Sequence, residues 1–160
     1  MPCACKKNVP DYPGTEEWGP ILWKLLHGLA ERGGKHLDEE LREWKRLLTL
    51  TADIIPCDVC KKHYKQVILE RPINILKLDR VAAYTFLRTW LWTLHNEINV
   101  ENNKPELPFT ELTPLYGDVD LRDTLWRLEP VMKVAILKSG VGYISWTKWS
   151  TSFRMILSLV

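Results

Sequence analysis

Apolar residues recur along this chain at three- and four-residue steps, and no stretch alternates with the period of two that a half-buried strand requires. Trp18, Ile21, Leu22, Leu25, Leu26 and Leu29 trace the first stripe. It predicts a helix that starts near Glu16 or Glu17, whose charges complement the amino-terminal dipole, and ends at Gly33-Gly34. Asp38 suits the cap of a second helix with Leu41, Trp44, Leu47, Leu48 and Ile55 inward. Pro56 then ends that helix or opens a short third one, running from Cys57 to Glu70 and stopping before Pro72. After a linker at 72–78, Asp79 caps a fourth helix through about Asn99, with Val81, Tyr84, Leu87, Leu91, Leu94 and Ile98 as its inner face. The first 105 residues thus read as an all-α chain, an antiparallel bundle of about four helices.

The pattern changes at both ends. Pro2, Pro10, Pro13 and Gly14 make the first residues an extended arm. Beyond Lys104, three prolines (Pro105, Pro108, Pro114) predict an irregular stretch up to Gly117. Asp118 or Asp120 then caps a further helix with Leu121, Leu125, Trp126 and Leu128, which Pro130 kinks or ends.

Composition adds limits. At 160 residues, 46% hydrophobic and 26% charged, the chain is an ordinary globular domain in size and content. A net charge of +2 is too small for a general electrostatic grip on nucleic acid. The charge is uneven, because residues 121–160 carry six bases against two acids. No run approaches the roughly 18–20 uncharged apolar residues of a membrane span. The amino terminus has no apolar stretch behind Lys6-Lys7, so the expectation is a soluble chain without a secretory signal.

Four cysteines fall in two close pairs, Cys3/Cys5 and Cys57/Cys60. Such spacing points to redox or metal chemistry before structural disulfides. Cysteines three apart in the first turn of a helix lie close enough to bond, and the helix dipole with Lys61 and Lys62 favours thiolate. Zinc sites use the same spacing, with His63 as a third ligand and Cys3 or Cys5 as a fourth, so a zinc module is one alternative. A thioredoxin-like site needs βαβ elements that this pattern lacks.

The partner of a dithiol on a helical bundle is suggested by the aromatic residues. Trp23 and His27 lie at i and i+4 on a face apart from the leucine stripe. His95 and Asn99 do the same on the fourth helix, with Trp92 one turn earlier. A polar-aromatic face of this kind suits a flat heteroaromatic ring, though each residue alone also suits a plain core.

Taken together, Trp18-Gly19-Pro20 through W-x-x-x-H at 23–27, P-C-x-x-C-x-x-H-Y at 56–64 and L-H-N-E-I-N-x-x-x-x-K at 94–104 closely resemble the Erv/ALR family of flavin-dependent sulfhydryl oxidases. The resemblance covers about residues 16–109. It implies a four-helix bundle with a short fifth helix at 16–109; the arm at 1–15 and the expected carboxy-terminal helical extension at 110–160 lie outside the resemblance. It also implies FAD as cofactor, with Cys57 exchanging with a protein dithiol, Cys60 beside the flavin, and oxygen as final acceptor, yielding hydrogen peroxide. Trp23, His27, His95, Asn96, Asn99 and Lys104 match positions that hold FAD, with His63 adjacent. Phe109 or Tyr116 is expected to supply an aromatic shortly after Lys104. Cys3 and Cys5 resemble a shuttle pair that feeds the core dithiol, commonly across a homodimer.

Glu31 and Arg32 depart from the family, standing where cellular members are often aromatic. A short member with a basic tail looks like those of large cytoplasmic DNA viruses, which implies host cytoplasm or virion; the mitochondrial intermembrane space is the alternative. A virion component that keeps the fold without turnover is a further alternative. Residues 110–160 are expected to pack on the bundle as extra helices, or to dock a capsid partner or a membrane face through Trp126, Tyr143, Trp146, Trp149 and Phe153.

Overall fold

A computed structural model describes residues 12–33 and 35–160, and every regular element among them is helical. In chain order these are α1 (Thr15–Ala30), α2 (Leu37–Ile54), α3 (Asp58–Glu70), α4 (Arg80–Glu101), a 3-10 turn (Phe109–Glu111), α5 (Leu112–Tyr116), α6 (Leu121–Leu137) and α7 (Tyr143–Leu159). Cys3 and Cys5 lie outside the described residues.

The apolar stripes become the core as the periodicity requires. Leu25, Leu29, Leu41, Trp44, Leu47, Leu48, Leu87 and Leu91 are buried together. Asp79 caps α4 through its side chain, which accepts from the Ala82 N–H at 2.9 Å. The other end of α4 closes on Asn103, whose φ of 56° lets the Lys104 N–H reach the Asn99 carbonyl at 2.8 Å.

Three local expectations are corrected. The residue before α2 is His36, not Asp38, and its backbone N–H is met by Glu40 at 3.0 Å. Glu40 is buried, and its carboxylate also accepts from the Tyr84 hydroxyl at 2.8 Å and pairs with Arg80 at 3.2 Å. Those bonds tie the start of α2 to the start of α4, which makes Glu40 worth more inside the helix than Asp38 is as a cap. Val81 is 78% exposed, because the first turn of α4 projects beyond the neighbours that cover Ala83 and Tyr84. Pro130 does not end α6 but sits inside it on the exposed side, where the lost backbone bond falls toward solvent.

The carboxy-terminal helices complete the core. α6 packs along α1 and α7 along α2. The α1–α6 contact is close: a Cβ on Gly28 would fall 2.7 Å from Leu121 Cδ2, so glycine there sets the distance between the helices. Trp149 and Phe153 of α7 are fully buried, and the Trp149 indole N–H donates to Thr51 Oγ1 at 2.9 Å. Packing therefore claims Trp149 and Phe153 and leaves Trp126 and Tyr143 exposed. Trp149→Ala is expected to cost about 3–5 kcal/mol, as large-to-small core changes do. Urea unfolding measures it, and a loss below about 1 kcal/mol would show that α7 is dispensable to the core.

Candidate functional site

The chain leaves α2 at Ile55-Pro56 and re-enters helix at Asp58, which makes Cys57 the cap of α3. Its sulfur accepts the Cys60 backbone N–H at 3.2 Å. Cys57 and Cys60 are joined as a disulfide with Cα atoms 5.3 Å apart. The amino-terminal end of a helix directs unpaired N–H groups and a positive partial charge at these sulfurs, so either one released as a thiolate is stabilised there. Cys57 is only 6% exposed, while Cys60 is half-buried. One turn on, Tyr64 fixes the frame of α3. Its hydroxyl donates to the Leu48 carbonyl of α2 at 2.6 Å, and its ring meets Trp90 of α4 edge-on at 6.0 Å. His63 is half-buried beside it. Among the described residues, no group of three His, Cys, Asp or Glu side chains is placed to hold a metal ion.

A second cluster joins α1 to α4. His27 Nε2 and His95 Nδ1 are 3.0 Å apart, and Trp23 stacks on His95 at 4.2 Å with the planes 6° apart. Tyr116, at the end of α5, stacks on His27 at 4.6 Å. The four rings form a continuous aromatic plate, half-buried at Trp23, His95 and Tyr116 and buried at His27. Burial first, and the His95 ring second, lower the His27 pKa to about 3. Burial and the nearby Lys104 ammonium lower His95 to about 4. Both rings are neutral near pH 7, so one donates a single N–H and the other accepts it.

The remaining predicted residues split away from the plate. Asn96 spends its amide on the loop after α4, donating to the Leu107 carbonyl at 2.9 Å and accepting the Leu107 N–H at 2.8 Å. Asn99 leans on Asn96 at 3.4 Å. Trp92 donates to the same Leu107 carbonyl at 2.7 Å and meets Phe109 edge-on. Of the two aromatics expected after Lys104, Phe109 thus packs on Trp92, whereas Tyr116 reaches the histidines. Nothing in the spacing of Tyr116 distinguishes it, because a 3-10 turn and α5 must first return the chain to α1. Glu31 and Arg32 secure that return: Glu31 pairs with Arg88 at 2.7 Å and accepts from Thr113, and Arg32 donates to the Val119 carbonyl at 2.6 Å.

Stacked flat faces, two neutral imidazoles and one ammonium fit a flat heteroaromatic ring that carries an anionic tail, the chemistry of FAD. Asn96 and Trp92 fix the loop after α4 through Leu107.

The neutral pair gives a pH signature. In the unfolded chain both imidazoles titrate near 6.5, whereas folding holds them neutral down to about 3 and 4. The unfolded state therefore binds more protons between those limits. The stabilisation is complete above pH 6.5 and falls away as pH drops toward 4. Urea midpoints should decline across that window, and less steeply in His95→Asn; equal slopes would contradict neutral burial.

The family model described as the Erv1 / Alr family matches residues 20–116, a span that holds the dithiol and all four rings of the plate. The chain is 28% identical over 129 residues to the FAD-linked sulfhydryl oxidase ERV1 of Oryza sativa subsp. japonica, covering 78% of this chain and 62% of that protein. It is 29% identical over 107 residues to the mitochondrial FAD-linked sulfhydryl oxidase ERV1 of Saccharomyces cerevisiae, covering 66% and 53%. It is also 28% identical over 109 residues to the putative FAD-linked sulfhydryl oxidase 088R of frog virus 3, covering 65% and 69%. The chain thus spans less than two thirds of the rice and yeast proteins. No solved structure matches it. With the family match running across more than half of its length, the chain belongs to the Erv1 / Alr family.

Proposed function

We propose that this chain is a FAD-dependent thiol oxidase that makes disulfides in protein substrates. The observation that carries this reading is the Cys57–Cys60 disulfide at the amino terminus of α3, within a family match that also takes in the two histidine-bearing helices. A substrate thiolate attacks Cys57 Sγ, the Cys57–Cys60 bond breaks, and Cys60 leaves as a thiolate held by the helix terminus. The second substrate thiolate attacks the mixed disulfide and expels Cys57. The substrate has then gained a disulfide, and the pair Cys57/Cys60 holds its two electrons.

FAD held at the site would supply the two-electron redox chemistry that returns Cys57/Cys60 to the disulfide, with oxygen as the final acceptor and hydrogen peroxide as the product. Trp23, His27, His95 and Tyr116 would hold its flat ring system, with Lys104 answering its phosphates. We assign attack to Cys57 and electron delivery to Cys60; the greater exposure of Cys60 suits a sulfur that a bound ring covers. Cys3 and Cys5 are assigned to delivering electrons from substrate, within a homodimer. Host cytoplasm or virion is the location inferred from the likeness to viral members, with the mitochondrial intermembrane space as alternative.

Oxygen uptake with dithiothreitol and with a reduced unfolded protein tests the reading. The full chain should consume oxygen with both, and Cys57→Ser and Cys60→Ser should each lower turnover about a hundredfold or more. A colourless protein without uptake would favour a non-catalytic component, and zinc in its place a metal module.

A further inference from the structure

Half of the large apolar side chains left exposed among the described residues lie between 126 and 155. On α6, Trp126 (69% exposed), Val134 and Leu137 (73%) follow one another at helical spacing, with Pro130 between them. These positions form one stripe on the side of α6 turned away from α1. The α6–α7 turn extends it. Gly140 and Val141 both donate to the Ala135 carbonyl, folding the chain back onto the end of α6. Tyr143 (69%) and Ile144 (68%), at the start of α7, follow this turn directly and are exposed.

Among the described residues, the charges on this stripe that are left without an ion pair have one sign. Arg122 and Lys133 lie on it and are exposed, and neither forms an ion pair among the described residues. The two acids of α6 are already engaged, Asp123 with Arg127 at 2.8 Å and Glu129 with Arg154. A second copy of the chain meeting this face about a two-fold axis would bring the like charges of Arg122 and Lys133 together across the contact. A convex apolar helix face that ends in an apolar turn, with Trp and Tyr for the interface and long cations for headgroups, has the form of a helix lying in a membrane surface. Among the described residues, no helix is long and apolar enough to cross one.

We propose that the exposed face of α6, with the α6–α7 turn, docks this protein on an anionic lipid surface. The docking holds the bundle at the membrane through the carboxy-terminal helices, and it stands whether or not the chain is an oxidase.

Flotation of the full chain with vesicles of phosphatidylcholine, with and without about a third phosphatidylserine, tests it. Binding to the anionic vesicles alone, weakened by salt, is the expected result. Trp126→Glu with Leu137→Glu should lower the bound fraction about tenfold while circular dichroism and dithiothreitol oxidation stay unchanged, since both side chains are exposed. Arg122→Glu with Lys133→Glu should also abolish binding, and serves if the first pair misfolds. Failure to float with anionic vesicles, or equal flotation by the variants, overturns the proposal. So does a dimer that the same substitutions break, or retention by an acidic protein without lipid binding; each would assign the face to a protein partner instead.

Discussion

One hydrogen shared between two neutral imidazoles links α1 to α4 at the aromatic plate, beside the leucine core that packs the two helices together. His27 is buried, and a charged ring there would have to leave water without a counter-charge. The 3.0 Å contact with His95 lets both rings stay uncharged while each meets a polar partner. Because His27 is occupied in this way, the side of α1 opposite its leucine stripe can be covered too, by Trp23, His95 and Tyr116. The same contact sets the plate of rings at one end of the bundle, and the loops that return to it follow from it. Asn96 clamps Leu107, Glu31 anchors Arg88 and Thr113, and α5 delivers Tyr116.

The dithiol is positioned by a separate device. Cys57 is the cap of α3: Pro56 halts the preceding chain, and the Cys57 sulfur accepts a backbone N–H of the helix it begins. The bond that positions the sulfur also favours its ionised form. Tyr64, bonded to α2 and packed on Trp90 of α4, keeps this helix end in a fixed relation to the bundle. Rigid support under a reactive pair is what repeated opening and closing of a disulfide demands.

Much of this was legible in the chain because period and chemistry coincide. The leucine stripe of α1 and the offset Trp23/His27 pair are both consequences of 3.6 residues per turn, so each marks the same helix. The P-C-x-x-C run declares a helix start and a dithiol at once. What the sequence hid depends on tertiary return. Asp38 looks like a cap until Glu40 is seen to meet Tyr84 and Arg80. Pro130 looks like a stop, yet the solvent side of α6 tolerates it. Tyr116 lies far along the chain from His27 and has no periodic relation to it. Asn96 and Trp92 have the spacing of ligand-facing groups, but a loop backbone, invisible to periodicity, claims their polar atoms.

The central claim is that Cys57/Cys60 and the aromatic plate form one flavin-linked redox unit. The most direct test is the visible spectrum of the purified full chain under anaerobic conditions, before and after addition of a dithiol. The account predicts a flavin band near about 450 nm that bleaches on reduction and persists in Cys60→Ala. A protein that carries no flavin, or whose flavin ignores the dithiol while Cys57 and Cys60 are being reduced, would contradict it.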